Sequence, residues 1–191
     1  IPGHDTVIHL ACISNDPSFE LNPSLGKSIN LDAFEPLVKI SKKNDVNKFI
    51  HVSALGVEKA KDSKYAVSKL NGENAVRKNF KEAIILKPSI VYSVDDNFTT
   101  MLMGLLNLMP IFPLYYGGKT KFIPLHCSDI CNLISSLVLD DTMGETIECI
   151  GPEELTFRQI IEKLLKLLDK KRLFVPIPLF AANIIATFFQ I

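Results

Sequence analysis

Short apolar runs alternate along the chain with longer stretches in which apolar residues recur every three or four positions. Thr6-Val7-Ile8-His9-Leu10-Ala11, Val46-Asn47-Lys48-Phe49-Ile50-His51-Val52-Ser53 and Ala83-Ile84-Ile85-Leu86 are runs of the kind that parallel strands covered on both faces require. Between the first two, 14–23 reads as a polar, proline-punctuated loop. A helix over 24–43 follows, with Leu25, Ile29, Ala33, Leu37 and Ile40 on one face and a kink or break expected at Pro36. A further helix spans 64–79.

Beyond the third run the pattern loosens. An apolar helix is expected over 97–108, with Phe98, Leu102, Leu105 and Leu106 buried, and a turn-rich segment over 110–120. A strand then leads to Ser128 or Asp129 as helix N-cap, a strand follows over 145–150, and Thr156 caps a leucine-rich helix over 157–168. The apolar stretch 173–191 is broken by Pro176 and Pro178 and reads as a packed or interfacial helix rather than a span. The order implies an α/β fold with a doubly wound parallel sheet and a small α+β C-terminal subdomain. The expected division is 1–97 and 98–191, with some strands of the second part returning to the main sheet.

Composition narrows the function. The 191 residues are 47% hydrophobic, enough for a sizeable core. Twenty-one Lys and Arg balance 21 Asp and Glu, so the charge gives no case for a nucleic-acid partner. Cys12, Cys127, Cys131 and Cys149 lie in apolar settings without a framework, which fits buried thiols in a reducing compartment. Cys127 and Cys131 have His126 beside them but lack a second ligand pair, so no metal is expected. Capping alone explains Asp129, and His9 reads as a core or cofactor-edge histidine.

The chemistry concentrates in Ser63-Lys64-Tyr65-Ala66-Val67-Ser68-Lys69-Leu70-Asn71-Gly72-Glu73. Tyr65 and Lys69 are four apart and share a helix face, where an ammonium favours a neighbouring phenolate. A phenol of pKa about 10 is a poor base at neutral pH, but beside a fixed positive charge it can take a proton from an alcohol.

This order of elements resembles the short-chain dehydrogenase/reductase superfamily, whose extended and atypical members include NAD-dependent epimerases and dehydratases. His9-Leu10-Ala11-Cys12-Ile13-Ser14-Asn15-Asp16-Pro17-Ser18-Phe19-Glu20 resembles nucleotide-sugar epimerases. His51-Val52-Ser53-Ala54-Leu55-Gly56, Leu86-Lys87-Pro88-Ser89-Ile90-Val91-Tyr92, Gly117-Gly118-Lys119-Thr120-Lys121-Phe122 and Gly151-Pro152-Glu153-Glu154-Leu155-Thr156-Phe157 look more like the atypical branch. That branch includes the NAD(P)H-binding accessory subunit of respiratory complex I. The resemblance implies Tyr65 as acid/base, Lys69 as its activator and ribose ligand, and Ser53 as the hydroxyl that orients substrate. Around NAD or NADP it places Leu10, Ala11, Asn30, Tyr65, Lys69, Lys87, Pro88 and Ser89. Ser53 stands one place before the usual proton-relay serine, and Ala54 occupies that place. No G-x-x-G-x-x-G turn occurs, so the resemblance puts the phosphate half of the site before Ile1. Two functions follow as expectations. One is a complex I accessory-type protein with a largely structural cofactor, cytoplasmic or peripheral at the inner face of a respiratory membrane and attached to a membrane-associated complex. The other is an active epimerase, dehydratase or reductase on a nucleotide sugar or similar hydroxylated small molecule.

Overall fold

The computed structural model describes residues 3–13 and 16–177, with the backbone alone at 16–18. In chain order the elements are β1 (Thr6–His9), α1 (Asp16–Leu21), α2 (Pro23–Lys27), α3 (Phe34–Lys43), β2 (Lys48–Val52), α4 (Lys64–Asn79) and β3 (Ile84–Pro88). They continue with β4 (Val91–Tyr92), α5 (Asn97–Leu108), β5 (Ile111–Tyr115), β6 (Lys121–Phe122), β7 (Leu125–His126) and α6 (Cys127–Leu139). The last are β8 (Thr146–Cys149), β9 (Leu155–Thr156), α7 (Phe157–Leu167) and β10 (Leu173–Ile177). The described residues form two compact units. One holds those up to Ser89 together with Ser128–Cys149, and the other holds Ile90–Cys127 together with those from Ile150 onward.

The first unit is a parallel sheet in the order β1-β2-β3-β8. Phe49, Ile50, Ile84, Ile85 and Leu86 are buried, which is why these strands carry apolar residues without alternation. Phe34, Val38, Val46, Phe49, Val76, Phe80 and Ala83 form one core between α3, α4 and the sheet. The helix α4 begins where Ser63 Oγ accepts the Ala66 N–H at 3.0 Å. Near its end the Arg77 guanidinium donates to the carbonyls of Lys81, Ala83 and Glu145, binding the helix to the entry of β3 and β8.

Three features of this unit differ from the sequence expectation. The stretch 14–23 is helical from Asp16 rather than a loop. The helix expected over 24–43 is interrupted by a π-helical turn at Ser28–Asp32, not at Pro36, which sits harmlessly in the first turn of α3. The buried face lies one position on from the expected one, before this turn as well as after it. Gly26, Asn30, Phe34, Val38 and Ser41 point inward, while Leu25 and Ile40 are 48% and 50% exposed. The third difference concerns the cysteines: all four are free, but of them Cys149 alone is buried and Cys131 is exposed.

The second unit pairs β5 with β10 and β4 with β7 in parallel, and β6 with β9 antiparallel. Its core joins Leu102 and Leu106 of α5 with Phe112, Leu114, Ile161 and Leu165. Thr156 caps α7 in a reciprocal arrangement with Gln159. Here too there are corrections. The segment expected to be turn-rich contains strand β5, and Leu173–Ile177 is its partner strand. Leu105 is partly exposed, and α6 starts at Cys127, so Ser128 and Asp129 lie in its first turn instead of capping it. The helix expected after Pro178 falls outside the described residues. Among those described, no helix is long and apolar enough to cross a membrane.

Candidate functional site

The predicted site residues gather at the carboxyl ends of the strands in the first unit, where open α/β sheets bind ligands. Leu10 and Ala11 follow β1 directly and are exposed. Ser53 follows β2, and its N–H donates to the Leu86 carbonyl at 2.8 Å. The Leu55 N–H donates to Pro88 O at 2.9 Å, so 53–55 run alongside the end of β3. Lys87 and Pro88 close β3, and the Ser89 N–H donates to Cys149 O at 2.9 Å.

Across these ends lies α4. Lys69 is 1% exposed, and its Nζ donates to the Val52 carbonyl at 2.9 Å. Burial lowers its pKa below the ordinary lysine range, while the Cys12 thiol and the Glu73 carboxylate push the other way. One turn on, buried Glu73 accepts the hydroxyl proton of Ser53 and pairs with Lys87 Nζ at 3.2 Å. Lys87 also reaches Glu58 at 3.3 Å. Lys87 loses solvation but gains two carboxylates, and its pKa rises. Tyr65 lies one turn before Lys69 on the same face, with its ring edge-on to Phe19 at 6.4 Å between centroids.

Asn30 plays a different part from the other predicted residues. It is wholly buried in the π-helical turn. Its side-chain oxygen accepts the Ile13 N–H at 2.8 Å, and its Nδ2 donates to Ile13 O at 3.2 Å and to Ser68 Oγ at 3.3 Å. The Ser68 hydroxyl then donates to the Tyr65 carbonyl at 2.7 Å. Asn30 thereby fixes the chain leaving β1 to the turn of α4 that carries Tyr65. Gly72 permits this contact, since a Cβ there would lie 2.5 Å from the Phe34 ring and 2.8 Å from the Asn30 carbonyl.

The residue that sequence reasoning missed is Glu73. It stands four after Lys69 and eight after Tyr65, so the helical spacing already put all three on one face. A second omission is His51. Parallel register sets it beside His9, with their Nδ1 atoms 3.2 Å apart. Burial and the Lys69 charge lower His9 to about 4 and His51 to about 3, so both rings are neutral at neutral pH. The Nε2 of His51 is buried with no hydrogen-bond partner among the described residues.

Among the solved structures, a dTDP-glucose 4,6-dehydratase from Streptomyces venezuelae, solved with NAD bound, superposes with a TM-score of 0.81. The match has 21% identity and covers 93% of this chain and 62% of that one. The fold is that of the short-chain dehydrogenase/reductases. No protein-family model matches the chain. Several of its curated relatives are respiratory subunits. The 40 kDa subunit of NADH-ubiquinone oxidoreductase from Neurospora crassa is 27% identical over 153 residues, 80% of this chain and 40% of the relative. The mouse NADH dehydrogenase 1 alpha subcomplex subunit 9 is 29% identical over 154 residues, 80% of this chain and 41% of the relative. The chain thus spans about two fifths of the length of these relatives. Leu10, Ala11, Ser53, Lys87, Pro88 and Ser89 lie at the ends of β1, β2 and β3, with Tyr65 and Lys69 on α4 and Asn30 in the π-helical turn.

Proposed function

We propose that the chain is part of an atypical short-chain dehydrogenase/reductase-like protein of the complex I accessory type, which binds NAD or NADP chiefly as a structural element. One observation carries this reading: the hydroxyl of Ser53 is engaged by buried Glu73, and Ala54 stands where the superfamily's relay hydroxyl is expected. A serine that donates to a buried carboxylate offers a substrate only its lone pairs, so it can accept a hydrogen bond but not polarise a carbonyl. The likeness to respiratory subunits supports the same reading. In it Lys69 and Tyr65 hold a ribose, the backbone at Leu10 and Ala11 runs beside the dinucleotide, and Lys87-Pro88-Ser89 borders the nicotinamide. Asn30 then acts through Ile13 to position the loop after β1. Association with a membrane-bound respiratory assembly belongs to this proposal.

A second reading keeps the enzyme. Tyr65 and Lys69 share a face of α4, and Lys69 is a desolvated cation of the kind that would stabilise a phenolate. The full-length protein, titrated with NADH and NADPH by fluorescence and then given UDP-glucose and simple secondary alcohols, separates the two. Binding without turnover is the expected result. Oxidation of any of these substrates, abolished by Tyr65→Phe with cofactor binding spared, would install the enzyme instead.

A further inference from the structure

The second unit contains a cavity of about 480 Å³ between the start of α5 and one side of α7. Its size falls within the roughly 300–1,000 Å³ of ordinary ligand pockets. On α7, Ile160, Leu164 and Leu167 line it at a spacing of four and three, and Phe98, Met103 and Tyr92 face them. Leu167 is 78% exposed, an apolar side chain at the mouth that no described residue covers.

Several of the polar groups around this cavity are already engaged. Asp96 accepts the Ser93 N–H at 3.1 Å, the Thr99 N–H at 2.6 Å and the Thr99 hydroxyl. At the rim, Lys163 pairs with Glu153 at 2.8 Å, and both remain over half exposed. A sugar or phosphate entering here would give up its water and find few partners in return, which disfavours it. A hydrocarbon loses nothing of that kind.

We propose that this cavity is a binding site for one unbranched acyl chain, recognised by its hydrocarbon, with the polar head left at the Lys163–Glu153 rim. At roughly 30 Å³ per water-sized atom, the volume holds on the order of fifteen carbons. The site lies wholly within the second unit, so it stands or falls independently of the dinucleotide proposal.

The test is fluorescence titration of the full-length protein with cis-parinaric acid in the absence of vesicles, with NADH binding measured on the same samples. Saturation at one molecule per chain is expected, with laurate and 1-dodecanol displacing the probe within a few-fold of each other and UDP-glucose failing to do so. Met103→Trp, which fills the cavity, should weaken the probe about tenfold or more. Leu167→Glu, at a position 78% exposed and outside the core, should weaken it several-fold. Both should leave NADH binding unchanged. The absence of saturable binding, wild-type affinity in both variants, or displacement by laurate but not the alcohol would each overturn the site. Binding seen only with phosphatidylcholine vesicles would overturn it in favour of a lipid surface.

Discussion

Two clusters of buried polar side chains sit in the same unit, and they are solved in opposite ways. Glu73 forms an ion pair with Lys87 and accepts the Ser53 hydroxyl, so each of the three finds a partner of opposite sign or a hydrogen bond. His9 and His51 give up charge altogether and share one contact, and among the described residues His51 Nε2 has no partner. Buried charge is tolerated where it is paired, and a group that can discard its charge does so where it is not. The paired cluster borders the proposed cofactor edge. The neutral pair packs against Phe34 and Phe49 in the core.

The comparison predicts that removing one charge from the paired cluster does the most harm. Glu73→Leu should cost about 3 kcal/mol in urea unfolding, because Ser53 loses its acceptor and Lys87 keeps only the outer carboxylate of Glu58. Asn30→Ala comes next. It removes three hydrogen bonds in a fully buried place, for about 2 kcal/mol by the same measurement, and should also weaken NADH binding by releasing the chain after β1. Gly72→Ala sets two effects against each other: about 1 kcal/mol gained in helix propensity and about 1–3 kcal/mol lost to overpacking against Phe34 and Asn30. The backbone oxygen cannot swing aside, so a net loss near 1 kcal/mol is expected.

The neutral pair answers to pH rather than to truncation. Both histidines have folded-state values below the ordinary 6.5, so between pH 6.5 and about 4 the unfolded chain binds protons that the folded chain refuses. Stability therefore falls on acidification through that window, at up to about 1.4 kcal/mol per pH unit for each site. Melting temperatures from pH 7 to 4 should show this slope, and a double variant, His9→Leu with His51→Leu, should flatten it. An unchanged slope would mean that other groups govern the acid limb.

How much of this was legible in the sequence follows from which interactions are local. The start of α4 could be read from Ser63, because an N-cap hydroxyl acts within three residues. The face of α3 could not, since which of two neighbouring stripes is buried depends on packing against α4 and the sheet, and no glycine or proline within Ser28–Asp32 announces the π-helical turn. Tyr65, Lys69 and Glu73 were aligned by spacing alone. That Glu73 would meet Ser53 and Lys87 depends on strands brought together by the sheet. The His9–His51 contact depends likewise on the β1–β2 register, which no single strand reveals. Pairing of β5 with β10 is more distant still, and both segments read as something else in isolation.

The most direct test of the structural-cofactor account is the dissociation rate of NAD(P)H from the full-length protein, followed by loss of nucleotide fluorescence on dilution into excess unlabelled competitor. The account predicts cofactor that survives gel filtration and exchanges slowly, with Tyr65→Phe speeding release only by the few-fold that one lost ribose hydrogen bond accounts for. Rapid exchange tied to turnover, with both lost in Tyr65→Phe, would contradict it.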